Sequence, residues 1–317
     1  MRVLVIGGGG FVGRKLAERL AADGHLCGRP ITALAQADIA APAPVQGAEG
    51  VALDVADSAQ TAALIGQGWD VIYHLAAIVS GQAEAEFDLG MRINLHGTLN
   101  VLEGARALRT TPVVVFASSV AVYGGAAPDP IDDFTVLQPQ TSYGAQKAAA
   151  ELMLADYSRK GFVRGRGLRL PTVTIRPGKP NAAASSFMSS IFREPLQGET
   201  ANCPVGEDYA VWHCSARTVV RNLIHAAEIE QAALGTAPCL ILPGRVDTIG
   251  EMIAAMTRVA GPEPASRITW NREPVIEKIV TGWRQRLDCA RGLSLGFTAD
   301  ASFEDNVRYF LQDDVRR

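Results

Sequence analysis

Short apolar runs alternate with amphipathic stretches through the first 175 residues or so of this chain. Residues 3–6, 31–37, 51–53, 71–75, 113–116 and 168–174 are apolar runs of the kind that form strands buried on both faces. Between them, residues 11–22 carry Val12, Leu16 and Leu20 on one helical stripe, and 58–66, 86–108 and 142–159 also read as helices. Strands and helices in alternation predict an α/β fold, a doubly wound parallel sheet of the Rossmann kind with helices on both faces. Beyond residue 175 the alternation weakens. Residues 177–207 are rich in Ala, Ser, Pro and Asn, while 217–230 and 248–260 read as helices around a strand at 240–242. The pattern predicts a sheet domain over residues 1–175, completed by later segments. A smaller lobe, mainly from 176–317, would fold over a cleft.

Composition narrows the function more than the fold. The chain has 317 residues, 48% hydrophobic and 20% charged, with a net charge of −3. With no basic block, nucleic acid and anionic membrane are not natural partners. No apolar stretch reaches the ~18 residues of a membrane span. The start of the chain runs straight into the first apolar segment, without the layout of a signal peptide. Five cysteines (27, 203, 214, 239 and 289) are scattered without metal or redox spacing, which fits a reducing cytoplasm. The expectation is a cytoplasmic protein without a metal site.

The chemistry-bearing residues cluster at the ends of the apolar runs. Gly7, Gly10 and Gly13 follow the first run and open a helix, with Phe11 and Val12 between them. Such a turn lets the backbone approach a pyrophosphate, and free helix N–H groups favour its charge. Asp38 closes the second strand, where a carboxylate can bind ribose hydroxyls. Its neighbour is Ile39 rather than an arginine that would receive a 2′-phosphate, so NAD is preferred over NADP. Asp54 and Val55 can contact adenine, although an aspartate ending a strand also caps helices. His74 ends the fourth strand as a structural residue, and Leu75, Ala76 and Ala77 after it leave room for a cofactor. Asn94 and Thr98 fall on the next helix. Ser119 ends the fifth strand, on the sheet edge where ligands bind, and reads either as a donor to a substrate oxygen or as a turn serine. Tyr143 and Lys147 are four apart, on one face of a helix. A nearby cation favours the phenolate, and a phenol so tuned can exchange a proton with an alcohol.

These motifs together resemble the extended short-chain dehydrogenase/reductase family, also called the NAD-dependent epimerase/dehydratase family. The resemblance rests on the glycine turn, Asp54-Val55, His74-Leu75-Ala76-Ala77, Asn94 with Gly97-Thr98, residues 118–124, Tyr143 with Lys147, and Leu295-Gly296-Phe297. It implies NAD as cofactor, Tyr143 as acid/base, Lys147 on the nicotinamide ribose and Ser119 polarising the reacting oxygen. It also implies main chain at Pro171 and Thr172 against the nicotinamide, and a homodimer through two long helices. Residues 74–81, 87–92, 139–144, 176–187 and 193–196 resemble members that act on a small sugar acid. Nucleotide-sugar epimerases usually carry an asparagine after the sixth strand, where this chain has Thr172 and Thr174.

The resulting reading is NAD-dependent oxidation of a secondary alcohol in a sugar acid. A carboxylate suits an arginine fork, so Arg176, Lys179 and Arg217 are candidate anchors, each equally readable as a surface charge. Ser80, Asn181 and Ser185 are candidates for the other hydroxyls, beside Ser119 and Tyr143. Two alternatives stand beside this reading: a nucleotide-sugar epimerase or dehydratase of the same family, and a regulatory protein that binds NAD(H) without catalysis.

Overall fold

A computed structural model of the chain describes residues 1–179, 184–283 and 285–315. Its main sheet joins β1 (Arg2–Ile6), β2 (Ala33–Asp38), β3 (Glu49–Ala52), β4 (Val71–His74), β5 (Val113–Ser119) and β6 (Arg164–Leu170). A later strand, β9 (Cys239–Ile241), extends the edge beside β6, giving the order β9-β6-β5-β4-β1-β2-β3 with parallel pairing throughout. The order reverses between β1 and β4, and ligands of such sheets bind beyond the strand ends at that crevice. Helices α1 (Phe11–Asp23), α2 (Ser58–Ile65), α4 (Gly97–Arg106) and α5 (Ser142–Arg159) cover its two faces. Val3 and Val5 face one apolar core, while Leu4 and Ile6 face the other. That two-sided burial is why these strands are unbroken apolar runs rather than alternating ones.

The sixth strand starts four residues before the apolar pattern and stops four earlier. Its sequence, Arg-Gly-Arg-Gly-Leu-Arg-Leu, hides a strand behind arginines. Arg166 is nevertheless buried, because its guanidinium donates to the carbonyls of Ala226 (3.0 Å) and Ile229 (2.6 Å). These carbonyls lie at the C-terminal end of α7 (Ala216–Glu228), where helix carbonyls lack partners. After Pro171, which has no N–H for the ladder, the chain leaves the main sheet. Strand β7 (Thr172–Val173) pairs with β8 (Ala210–Cys214), which in turn pairs with β10 (Arg245–Thr248).

Residues 86–108 are not the single helix their pattern predicts. A short helix α3 (Ser80–Ala85), a turn at Phe87–Gly90 and a wide π-helical turn at Met91–His96 precede α4. The buried Asn94 sits in that wide turn, with its side chain bonded outside the helix. Helix α6 (Phe187–Arg193), α8 (Ile249–Ala260) and α9 (Phe303–Asp313) build a third apolar core around Phe192, Met252 and Val307. Helix α7 instead returns to the main sheet and packs on α1. Among the described residues no helix is long and apolar enough to cross a membrane, and no group of His, Cys, Asp and Glu could hold a metal ion.

Candidate active site

The turn after β1 is a tight cradle. Gly7 has φ +86°, a left-handed conformation that L side chains rarely adopt, and a methyl on it would lie 2.5 Å from the Ala76 nitrogen. A methyl on Gly13 would lie 2.1 Å from the Gly7 carbonyl oxygen, so only glycine lets α1 start this close to β1. Gly10 is the N-cap of α1 and brings no side chain to its first-turn N–H groups. Those donors, beside a backbone cradle, fit an anionic bridge such as a pyrophosphate.

Asp38 ends β2 beside this turn. Its carboxylate accepts from the backbone N–H of Gly9 (3.0 Å) and of Ile39 (2.8 Å). It borders a cavity of about 510 Å³ lined by the glycine turn, Gln36 and residues 39–43. Gln36 is buried there with an unpartnered side-chain amide. Arg14, which no sequence motif marks, lines the same cavity and pairs with Glu18 (2.9 Å). Asp54 caps the turn before α2 by accepting from the Ala56 N–H (2.9 Å). Val55 is buried, with its side chain against Gly97. Leu75 continues the β4 edge by donating to the Ile6 carbonyl (2.8 Å), and Ala76 abuts Gly7.

His74 is fully enclosed, with Nε2 on the Thr98 hydroxyl (2.9 Å), and burial lowers its pKa to about 3. It is therefore a neutral structural residue. Asn94 accepts from the Ile78 N–H (2.9 Å) and donates to Gln146 of α5 (2.8 Å). It thus holds the main chain that leads into Ser80, at the start of α3.

Ser119, Tyr143 and Lys147 come together at the end of β5. Thr141 caps α5 by accepting from the Gly144 N–H (3.1 Å), which sets Tyr143 in the first turn. Gly144 lets that turn press on the strand end, because a methyl there would lie 2.2 Å from the Ala121 carbonyl oxygen. Ser119 is both a turn serine and a phenol partner. Its hydroxyl accepts from the Ala121 N–H (3.1 Å) and also faces the Tyr143 phenol closely enough to lower its pKa. Burial pushes the Tyr143 phenol up to about 12, while Ser119 and the Arg176 guanidinium pull it down. Lys147 is 1% exposed, and burial lowers its pKa to about 7. Its ammonium donates to the Ala117 carbonyl (2.8 Å) and lies 5.8 Å from the Tyr143 ring centre. Arg176 adds a second positive charge that lowers the phenol's pKa, an influence that chain spacing could not show.

The other anticipated residues divide. Arg176 reaches the Ser185 carbonyl (3.3 Å) and hydroxyl (3.5 Å), so these two join the Tyr143 group. Pro171 and Thr172 lie just beyond β6, whereas Lys179 is exposed and Asn181 lies outside the described residues. Arg217 is not brought to this group. It pairs with Asp313 and donates to Gln312 (3.0 Å), on a cleft lined by the outer face of α1. Its place on α7, which packs on α1, accounts for this.

A dinucleotide cradle, with a phenol, a hydroxyl and an ammonium at the end of the neighbouring strands, is an oxidoreductase arrangement on a parallel sheet. The chain belongs to the NAD dependent epimerase/dehydratase family, whose profile matches residues 3–235. It is 48% identical over 319 residues to a D-erythronate dehydrogenase of Cupriavidus necator, covering 99% of this chain and 98% of the relative. A D-erythronate dehydrogenase of Haemophilus influenzae is 41% identical, covering 99% of this chain and 100% of its own. Among solved structures, one titled as a nucleoside-diphosphate-sugar epimerase from Agrobacterium tumefaciens superposes with a TM-score of 0.94. It is 44% identical, and the match covers 99% of this chain and 94% of that one.

Proposed function

We propose that this protein oxidises D-erythronate to 2-dehydro-D-erythronate with NAD. The observation that carries the reading is Tyr143 facing Ser119 near the Arg176 guanidinium, in a chain 48% identical to a D-erythronate dehydrogenase. NAD, when bound, supplies the hydride acceptor. Gly7, Gly10, Phe11, Val12 and Gly13 would hold its pyrophosphate, and Asp38 its adenosine ribose. Asp54 and Val55 would border the adenine, Leu75, Ala76 and Ala77 would line the passage past the sheet, and Lys147 would take the nicotinamide ribose. Pro171 and Thr172 would face the nicotinamide, and Asn94 would serve this site through the Ile78 main chain.

Tyr143 accepts the proton of the alcohol, and Ser119 donates to the same oxygen as it becomes a carbonyl. A buried phenol is a poor base at neutral pH, and a facing cation lowers its pKa. Arg176 supplies that charge and also suits the substrate carboxylate; Ser80 and Ser185 would take the remaining hydroxyls, with Lys179 at the rim. Residues 1–175, with the later segments that rejoin the sheet, form the NAD domain, and residues 176–317 chiefly shape the substrate site. A cytoplasmic homodimer through α4 and α5 completes the reading.

The Agrobacterium structure's title favours a second reading, a nucleotide-sugar epimerase. There the oxidised intermediate is reduced again before release, so no net NADH appears. Absorbance at 340 nm separates the two. D-Erythronate with NAD gives sustained NADH, and nucleotide sugars give none. Epimerised nucleotide sugar without NADH from D-erythronate would reverse the assignment.

A further inference from the structure

Behind the residues that meet the cleft lies a buried carboxylate with no part in the chemistry above. Glu151, one turn along α5 from Lys147, is 3% exposed. Its carboxylate accepts the Ser118 hydroxyl (2.5 Å) and a fork from Arg169 of β6, with Nε 3.1 Å from both oxygens and Nη2 at 2.7 Å. The remaining Arg169 nitrogen donates to the Tyr123 hydroxyl (2.5 Å) and the Asp133 carbonyl (2.9 Å). One ion pair therefore ties together α5, β6, the end of β5 and the loop that follows it.

Ser118 is the middle of three consecutive residues that matter. The carbonyl of Ala117 before it receives the Lys147 ammonium, and the hydroxyl of Ser119 after it faces the Tyr143 phenol. Neighbouring side chains of a strand point to opposite faces. A tether on Ser118 thus fixes the strand from behind while Ser119 meets the cleft. We infer that Glu151, locked by Arg169, is a positioning residue that holds the end of β5 in place for Ser119 and Lys147.

A buried ion pair is weak evidence for stability, since well-packed apolar residues often hold a fold as well. Its placement under these side chains gives it a different use. The charge points the same way. Burial disfavours the Lys147 ammonium, and the Glu151 carboxylate is the charge that supports it. His74, on the neighbouring strand, is neutral and adds no competing charge, while the Arg169 guanidinium is paired with the carboxylate itself. Loss of Glu151 should leave Lys147 neutral over more of the physiological range.

This inference rests on the alcohol-oxidation reading, but its first test needs no substrate. The chain has five lysines (15, 147, 160, 179 and 278), so carbon-13 NMR of protein labelled at lysine Cε can follow Lys147 by itself. Glu151→Gln alone strands the Arg169 guanidinium, so the titration compares wild type with Glu151→Gln combined with Arg169→Met. The Lys147 midpoint should fall by about half a unit or more. The second test is Ser118→Ala, which cuts only the tether. We expect wild-type melting temperature and KM for NAD, with kcat down about tenfold. An unmoved Lys147 midpoint, or a Ser118→Ala chain with kcat within threefold of wild type, overturns the inference. If the wild-type protein proves inactive on D-erythronate, the lysine titration still decides this question.

Discussion

Gly144→Ala tests how closely the first turn of α5 must approach the strand end. The added methyl would lie 2.2 Å from the Ala121 carbonyl oxygen and 2.9 Å from Cβ of Pro139. Ordinary contact starts near 3.4 Å, so helix or turn must retreat by about 1 Å. Overpacking of this kind costs about 1–3 kcal/mol, which a domain of typical stability survives. A retreat of about 1 Å between Tyr143 and Ser119 should instead cost about a hundredfold in rate. The assay is NADH formation from D-erythronate at saturating NAD, alongside thermal melting. The signature is a large fall in kcat with a small fall in melting temperature. The exposed neighbour Ala145, changed to Ser, should leave both unchanged. If Gly144→Ala keeps kcat within threefold of wild type, the close approach of α5 is not what aligns the phenol.

Other outcomes follow from the same geometry. Asp38→Gly removes the carboxylate from a cavity that also holds Arg14, so NADP affinity should rise and NAD affinity fall; calorimetry should show the NAD:NADP preference shrinking at least about tenfold. Arg176→Met should raise KM for D-erythronate by about 10- to 100-fold, the worth of a charged hydrogen bond, and leave NAD affinity unchanged. Lys147 bears on stability, because its folded value of about 7 lies below the usual 10.5. Between those values the unfolded chain binds more protons at this site, so this contribution rises with pH through that window, by at most about 1.4 kcal/mol per pH unit. Urea unfolding at pH 7 and pH 9.5 should show Lys147→Met losing that rise relative to wild type.

Much of this architecture is legible in the chain because strands buried on both faces leave unbroken apolar runs. Gly7, Gly10 and Gly13, Asp38 and Ser119 could be placed from the strand ends, and Tyr143 from its helical spacing to Lys147. Where polar groups are buried, pattern reading loses its grip. Strand β6 hides behind Arg164, Arg166 and Arg169, because pattern alone cannot reveal that Arg166 finds helix-end carbonyls and Arg169 a carboxylate. The break at 86–108 is set by Asn94 reaching Ile78, sixteen residues away. Arg176 bears on the phenol from a segment 33 residues downstream, whereas Lys147, on the same helix face, turns to Ala117. Arg217 opens a later helix and folds against Asp313. Those outcomes depend on tertiary partners.

The most direct test of the proposed chemistry is NADH formation from D-erythronate by wild type and by Tyr143→Phe, with NAD affinity measured on both. Phenylalanine keeps the ring and removes only the hydroxyl that exchanges the proton. The expected result is sustained NADH from wild type and at least about a thousandfold less from Tyr143→Phe at unchanged NAD affinity. Turnover by Tyr143→Phe within tenfold of wild type would contradict it.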